Sequence, residues 1–224
     1  MVAKVFSSLD LQSSQCCHYR TLKQKAPTFF GSENFYSVMG AGNSITGAFF
    51  GEGTTVLAVE PEVNKIRLDP VLGQVSISSA VSVGEAQSYL ASRGFMLTSV
   101  PSYPGATIGG CIAGNVHGQN HYKEGCFGEG VIELVLSHPD IGVLTVSREK
   151  NSPFFDLTVG GFGLTGVILS AVLRVTKINS VDVELRVEFF DSIAHGYEKL
   201  VAAQEHADFF HSWIDLTNQS PVRD

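Results

Sequence analysis

Pro104–Gly128 reads PGATIGGCIAGNVHGQNHYKEGCFG, with glycine at 105, 109, 110, 114, 118, 125 and 128 and histidine at 117 and 121. Little in it is suited to a regular helix or strand. Glycine loses more conformational freedom on folding than any other residue and offers no side chain to pack. Such a density is accounted for when something large lies against the backbone itself. Two further clusters, Gly40–Gly53 (GAGNSITGAFFGEG) and Gly160–Gly166 (GGFGLTG), extend the pattern. Together the three suggest one long ligand touched from three directions.

The first cluster follows FYSVM (Phe35–Met39), a strand candidate, so a dinucleotide fingerprint is the obvious comparison. That fingerprint needs G-x-G-x-x-G opening a helix, with an acidic residue about twenty positions on. Glu60 lies at a suitable distance, but the spacing here is G-x-G-x-x-x-x-G, and Gly51-Glu52-Gly53 leaves little room for a helix. The Rossmann reading therefore fails. Taken alone, the loop reads as a glycine-rich hairpin. Beside the other clusters it reads as a nest of successive N–H groups facing an anion, with Asn43, Ser44 and Thr46 adding side-chain donors.

In the central stretch, Thr107-Ile108-Gly109-Gly110 and Gly114-Asn115-Val116-His117-Gly118 offer backbone donors and acceptors at close range. His117 and His121 are four apart, but Gly118 interrupts the interval and no third ligand is near, so no metal site is expected. His121 reads as a structural histidine. His117 serves a structural and a chemical role equally well.

Composition narrows the class. With 44% hydrophobic and 17% charged residues, the 224-residue chain belongs among globular proteins with a substantial core. The formal charge is −7 and no basic run occurs, so no nucleic-acid partner is expected. The longest apolar run, Val167–Val175, is broken by Ser170 and Arg174 and is too short for a transmembrane segment. The opening MVAKVFSSLDLQ lacks the apolar core of a secretory signal, and a cytoplasmic location is expected. Four cysteines without C-x-x-C spacing read as free thiols in a reducing compartment.

Along the chain, residues 9–25 are polar and read as helical. Strands are expected at Phe35–Met39, Thr54–Glu60, Lys65–Asp69 and Gln74–Ser82, then a helix at Val83–Gly94 closed by glycine. After the glycine-rich stretch, Val131–Pro139 and Gly142–Glu149 read as a β-hairpin, Ser152–Leu157 as a short helix and Val167–Ile178 as a long strand. From Ser180 onward a strand (Val181–Phe190), a helix (Ser192–His206) and a strand (Phe209–Leu216) make one β-α-β unit. The fold class is α+β.

The three glycine clusters resemble the flavin-linked oxidases of the vanillyl-alcohol oxidase and p-cresol methylhydroxylase type. They look most like the decaprenylphosphoryl-ribose oxidase branch. The likeness rests on GAGNS at Gly40, on PGATIGG through HGQNHYKEGCFG, and on TVGGFGLTG at Thr158, and spans about residues 35–178. It implies a two-lobed PCMH-type FAD-binding domain over residues 1–179, with lobes of about 1–100 and 101–179. Residues 180–224 would be the start of a truncated cap.

The resemblance also implies a ligand set. Gly40, Ala41, Gly42, Asn43, Ser44, Ile45, Thr46 and Gly47 would hold the pyrophosphate. Gly105, Thr107, Ile108, Gly109, Gly110, Gly114, Asn115, His117 and Gly118 would line the flavin and ribityl portions, with His117 tuning the ring. Ile168 would sit near the adenine half. Relatives that attach FAD through the first loop carry G-x-G-H-S, and Asn43 takes that histidine's place here, so noncovalent FAD is expected. The implied function is an FAD-dependent oxidoreductase acting on a CH–OH group of a sugar or polyol-type substrate. The alternative is a truncated or split FAD-binding domain without turnover of its own, paired with a missing cap portion or another chain.

Overall fold

The computed structural model describes residues 2–22, 35–60 and 65–215. Two sheets organise it. In the first, β1 (Val2–Ser7), β2 (Ser14–Leu22), β3 (Phe35–Met39) and β4 (Thr54–Val59) lie in the order β1-β2-β4-β3. Both β2 and β3 run parallel to β4, and β1 is antiparallel to β2. In the second, β5 (Ile66–Asp69), β6 (Gln74–Ser78), β10 (Val167–Lys177), β8 (Val131–His138) and β9 (Gly142–Ser147) follow in that order, and β7 (Phe95–Leu97) also pairs with β10. Strand pairing thus divides the chain between Val59 and Ile66, well before the lobe boundary expected near residue 100.

Helix α1 (Val83–Ala91) starts where Ser82 accepts a hydrogen bond from the Glu85 N–H, and its Val83, Ala86 and Leu90 are buried at helical spacing. Those side chains join Val75, Ile77, Leu134, Leu136 and Leu173 in the core of the second sheet. A separate cluster of Leu22, Leu57, Val167 and Leu169 joins the two sheets. The 142–147 hairpin partner, the short helix α4 (Ser152–Thr158) and the eleven-residue β10 stand close to where the sequence places them. Along β10, Ser170 is half-buried while Arg174 and Lys177 are exposed, matching the expected polar positions.

Four expectations are corrected. The segment expected to be helical over 9–25 forms β2 instead, and residues 23–25 lie outside the described part. Its parallel ladder with β4 decides this, with Cys17 buried in one core cluster and Leu22 in another, since tertiary pairing overrides weak helical propensity. The glycine-rich stretch contains regular structure: helix α2 (Ile108–Ala113), the single turn α3 (His121–Glu124) and a 3-10 turn at Phe127–Gly130. In α2, Ile108, Cys111 and Ile112 are buried at i, i+3 and i+4, so packing outweighs the helix cost of two glycines. Val181–Phe190 and Phe209–Asp215 form no ladder among the described residues; only α5 (Ile193–Ala203) is regular there, capped by Ser192. Leu216 lies outside the described part.

All four cysteines are unbridged. Burial pushes the Cys111 thiol up to about 12, which makes it a packing group and no nucleophile at neutral pH. Among the described residues no helix is long and apolar enough to cross a membrane, and no group of three or more His, Cys, Asp or Glu residues could hold a metal ion.

Candidate functional site

The first glycine loop is anchored at both ends and bare between them. Met39 ends β3, and ten residues on Phe49 is buried against Phe6, ring centroids 6.0 Å apart and edge to face. The Phe49 carbonyl accepts from the Ser37 hydroxyl at 2.7 Å. Ser44 ties the turn: its carbonyl accepts from the N–H groups of Leu9 and Gly47, and its hydroxyl accepts from Ala48. Among the described residues, the backbone N–H groups of Ala41, Gly42, Asn43, Ser44, Ile45 and Thr46 have no hydrogen-bond partner. N–H groups without a partner among the described residues, at an accessible turn, are donors open to a ligand or to water. Gly42 holds a φ of 75°, the left-handed conformation such a turn needs.

That loop lies against the start of α2. A Cβ on Gly40 would overlap Thr107 Oγ1, so a side chain just after β3 would have to displace the hydroxyl that caps α2. The Asn43 carboxamide donates to the Gly105 carbonyl at 3.3 Å. Thr107 caps α2 by accepting from the Gly110 N–H. Gly40, Asn43, Gly105, Thr107 and Gly110 are therefore brought together. The first N–H groups of α2 are already used: Ile108 donates to the Val81 carbonyl and Gly109 to that of Ser79. Gly109 packs so closely on Ser79 that a Cβ would stand 2.9 Å from the serine Cβ. Gly110 faces outward, with only its own cap hydroxyl nearby.

The third cluster closes on the other end of α2. Gly160 donates to the Ile112 carbonyl and Phe162 to that of Ala113. Asn115, with a φ of 40°, accepts from the Gly128 N–H at 2.9 Å. Gly114, at the end of α2, packs against Val116. Gly163 lies against Val38 of β3, so the 160–166 turn touches both sheets. Ile108 is fully buried, and Ile168 is 5% exposed in the core of β10 beside Leu136.

His117 occupies a different position. Its backbone bridges to Cys126, its side chain is exposed, and its ring centroid is 5.5 Å from that of His121. Gly118 is buried against the backbone of Val100, where a Cβ would stand 2.6 Å from the carbonyl oxygen.

The next anchor is one that sequence reasoning missed. Asn120, 4% exposed, donates to the Thr98 carbonyl at 2.7 Å and accepts from the Val100 N–H at 3.3 Å. Asparagine in a loop has too many uses for this brace to be read in advance. Asn120→Ala leaves two inward-facing backbone groups unpaired and should destabilise the protein by about 2–4 kcal/mol. A urea unfolding midpoint unchanged from the wild type would refute that assignment.

Two sheets meet across glycine turns, with the 40–47 loop and the start of α2 brought together at their junction. The fold is shared with 6-hydroxy-D-nicotine oxidase from Arthrobacter nicotinovorans, which superposes with a TM-score of 0.59 at 19% identity over 64% of this chain and 31% of that one. The chain belongs to the FAD binding domain family, which matches residues 34–147, and FAD is its cofactor. Among its relatives is the decaprenylphosphoryl-β-D-ribose oxidase of Mycolicibacterium smegmatis, 27% identical over 72% of this chain and 36% of the relative. Another is the mitochondrial D-lactate dehydrogenase [cytochrome] 1 of Saccharomyces cerevisiae, 28% identical over 59% of this chain and 24% of the relative. A third is the mitochondrial L-galactono-1,4-lactone dehydrogenase 1 of Oryza sativa, 26% identical over 70% of this chain and 27% of the relative. The chain thus matches about a quarter to a third of these relatives' length.

Proposed function

We propose that residues 40–47 hold the pyrophosphate of a noncovalently bound FAD and that the segment 105–118 faces its ribityl and ring portions. The observation that carries this reading is the run of six N–H groups at 41–46 without a partner among the described residues, in a loop set against Gly105 and Gly110. A diphosphate would satisfy those donors together. Gly110, exposed and without a Cβ, leaves room for a flat ring beside α2. His117 is the side chain offered for tuning the ring. Ile108, Gly109 and Gly118 take part by holding the wall in place. Ile168, buried in the sheet, supports the adenine side from beneath.

Asn43 spends its amide on the Gly105 carbonyl, and a carboxamide is no nucleophile towards a flavin methyl group. Acid precipitation of the yellow protein should therefore release all of its flavin to the supernatant. Flavin retained in the washed pellet would show a covalent link and overturn this part of the reading.

The reaction we propose is oxidation of a CH–OH group on a sugar or polyol-type substrate. Residues 40–47 and 105–118 would hold and orient the cofactor, whose chemistry when bound is to take up the hydride, while the hydroxyl proton would pass to solvent. The relatives named for ribose, lactate and galactonolactone support it, since each of those molecules carries hydroxyl-bearing carbon. Anaerobic addition of sugars and polyols to the flavin-loaded protein should bleach the absorbance with at least one of them.

A second reading is favoured by a specific observation. Val181, Val183, Leu185, Val187 and Phe189 are all strongly exposed on an unpaired extended segment. In that reading residues 180–224 begin a cap, and the domain binds FAD without turning over alone. A protein that stays yellow under every alcohol tested decides for it.

A further inference from the structure

The loop that carries His117 is held from two sides. At its base, Phe127 donates to the Val116 carbonyl and His117 bridges to Cys126. On the inner side Asn120 fixes it to Thr98 and Val100, and Glu124 pairs with Arg174 at 3.9 Å. On the outer side it is gripped by residues 207–211, which follow α5. The Tyr122 hydroxyl donates to the Ala207 carbonyl, and the Tyr122 and Phe210 rings lie 4.7 Å apart between centroids. Phe210 donates its N–H to the Gln119 carbonyl at 3.3 Å, the Gln119 amide meets His211 Nδ1 at 3.3 Å, and Lys123 pairs with Asp208 at 3.4 Å.

We propose that Tyr122 and Gln119 are positioning residues through which segment 207–211 sets the placement of His117. The segment acts as a clasp. Its contacts fall on Gln119, Tyr122 and Lys123, the residues immediately beyond His117-Gly118. The single-turn helix α3 is too short to hold its own shape, so outside contacts must supply it. His121, its first residue, has its ring beside that of His117, so a shift of α3 reaches the His117 imidazole directly. The exposed Lys123–Asp208 pair adds little, because both partners remain in water. The ring pair and the Tyr122 hydrogen bond carry the grip. Movement of the C-terminal unit would thereby reach the cofactor side of the domain, a coupling through one contiguous set of contacts. The effect on flavin rests on the placement of His117 given under Proposed function; the clasp itself does not.

The test uses the full chain with Tyr122→Phe, which keeps the ring and removes the O–H donor, and Phe210→Ala, which removes the ring partner. Amide hydrogen exchange over residues 119–125 should quicken by about tenfold in Phe210→Ala and by less in Tyr122→Phe, while β8 stays protected. The imidazole proton resonances of His117 should shift in both variants, and the visible spectrum of bound flavin should shift with them. Unchanged exchange over 119–125 in both variants would overturn the clasp. Faster exchange with unmoved His117 resonances would reduce Tyr122 and Gln119 to a structural role and overturn the positioning claim. A wild-type protein that takes up no flavin would sink the flavin reading alone, since exchange and His117 resonances still test the clasp in the flavin-free chain.

Discussion

Replacing Gly110 by valine should empty the protein of flavin without unfolding it. Gly110 is exposed, and a Cβ there would meet only the Thr107 hydroxyl, at 3.1 Å. That hydroxyl is the flexible end of a small side chain and can give by a few tenths of an ångström. The backbone has no need of glycine here, because its φ is not among the positive ones. Valine also costs a helix no more than glycine does. The fold should therefore keep its far-UV circular dichroism and its urea midpoint. The branched side chain would instead occupy the space beside α2 that the ring is proposed to fill. Flavin per protein, read from the visible to ultraviolet absorbance ratio, should fall from stoichiometric to background. Stoichiometric flavin in a folded Gly110→Val protein would show that the ring lies elsewhere.

The opposite result is expected at Gly166, where alanine should cost the fold and not merely the ligand. Gly166 has a φ of 129°, and a Cβ there would overlap the carbonyl oxygen of Ser137. Ser137 belongs to β8 and pairs with Val167 at the start of β10, so that carbonyl cannot retreat without opening the ladder. The conformation alone costs an L-residue about 1–3 kcal/mol. The collision adds to it, and the sum is a large part of the roughly 5–15 kcal/mol that holds a typical domain. Gly142→Ala is the matched control: its φ is 86°, and a Cβ there meets nothing within 4 Å. It should cost only the backbone term. Comparison of urea midpoints checks both, and equal losses at the two sites would show that the Ser137 contact is immaterial.

Much of this was legible in the sequence where local chemistry decides. The strands at 35–39, 54–59 and 131–138, helix α1 with its closing glycine, and the failure of the Rossmann pattern all follow from spacing and turn chemistry. The signal for α2 was present too: Thr107 stands before Ile108, Cys111 and Ile112, a cap followed by one apolar face. The surrounding glycines masked it. What could not be read was pairing. Residues 14–22 become a strand because β4, more than thirty residues away, lies alongside. Residues 181–190 alternate as a strand does, yet alternation describes a face and supplies no neighbour. The same limit holds at the site. The glycine loop at 40–47 was visible in the sequence, whereas the packing of Ser79 on Gly109, of Asn120 on Thr98 and Val100, and of segment 207–211 on Tyr122 is set only by the fold.

Strand β10 carries a consequence for how the protein is made. It is the common partner of β6, β7 and β8, and pairs with them across about 80 to 100 residues of chain for the first two and about 35 for the third. During synthesis the chain emerges from its N-terminus, so those three strands leave the ribosome well before their shared partner. Until Lys177 has cleared the exit tunnel, their edges and the apolar side chains of the larger core stay open to other chains. Pauses in translation between His138 and Val167 would lengthen that interval, whereas the first sheet, complete by Val59, can close at once.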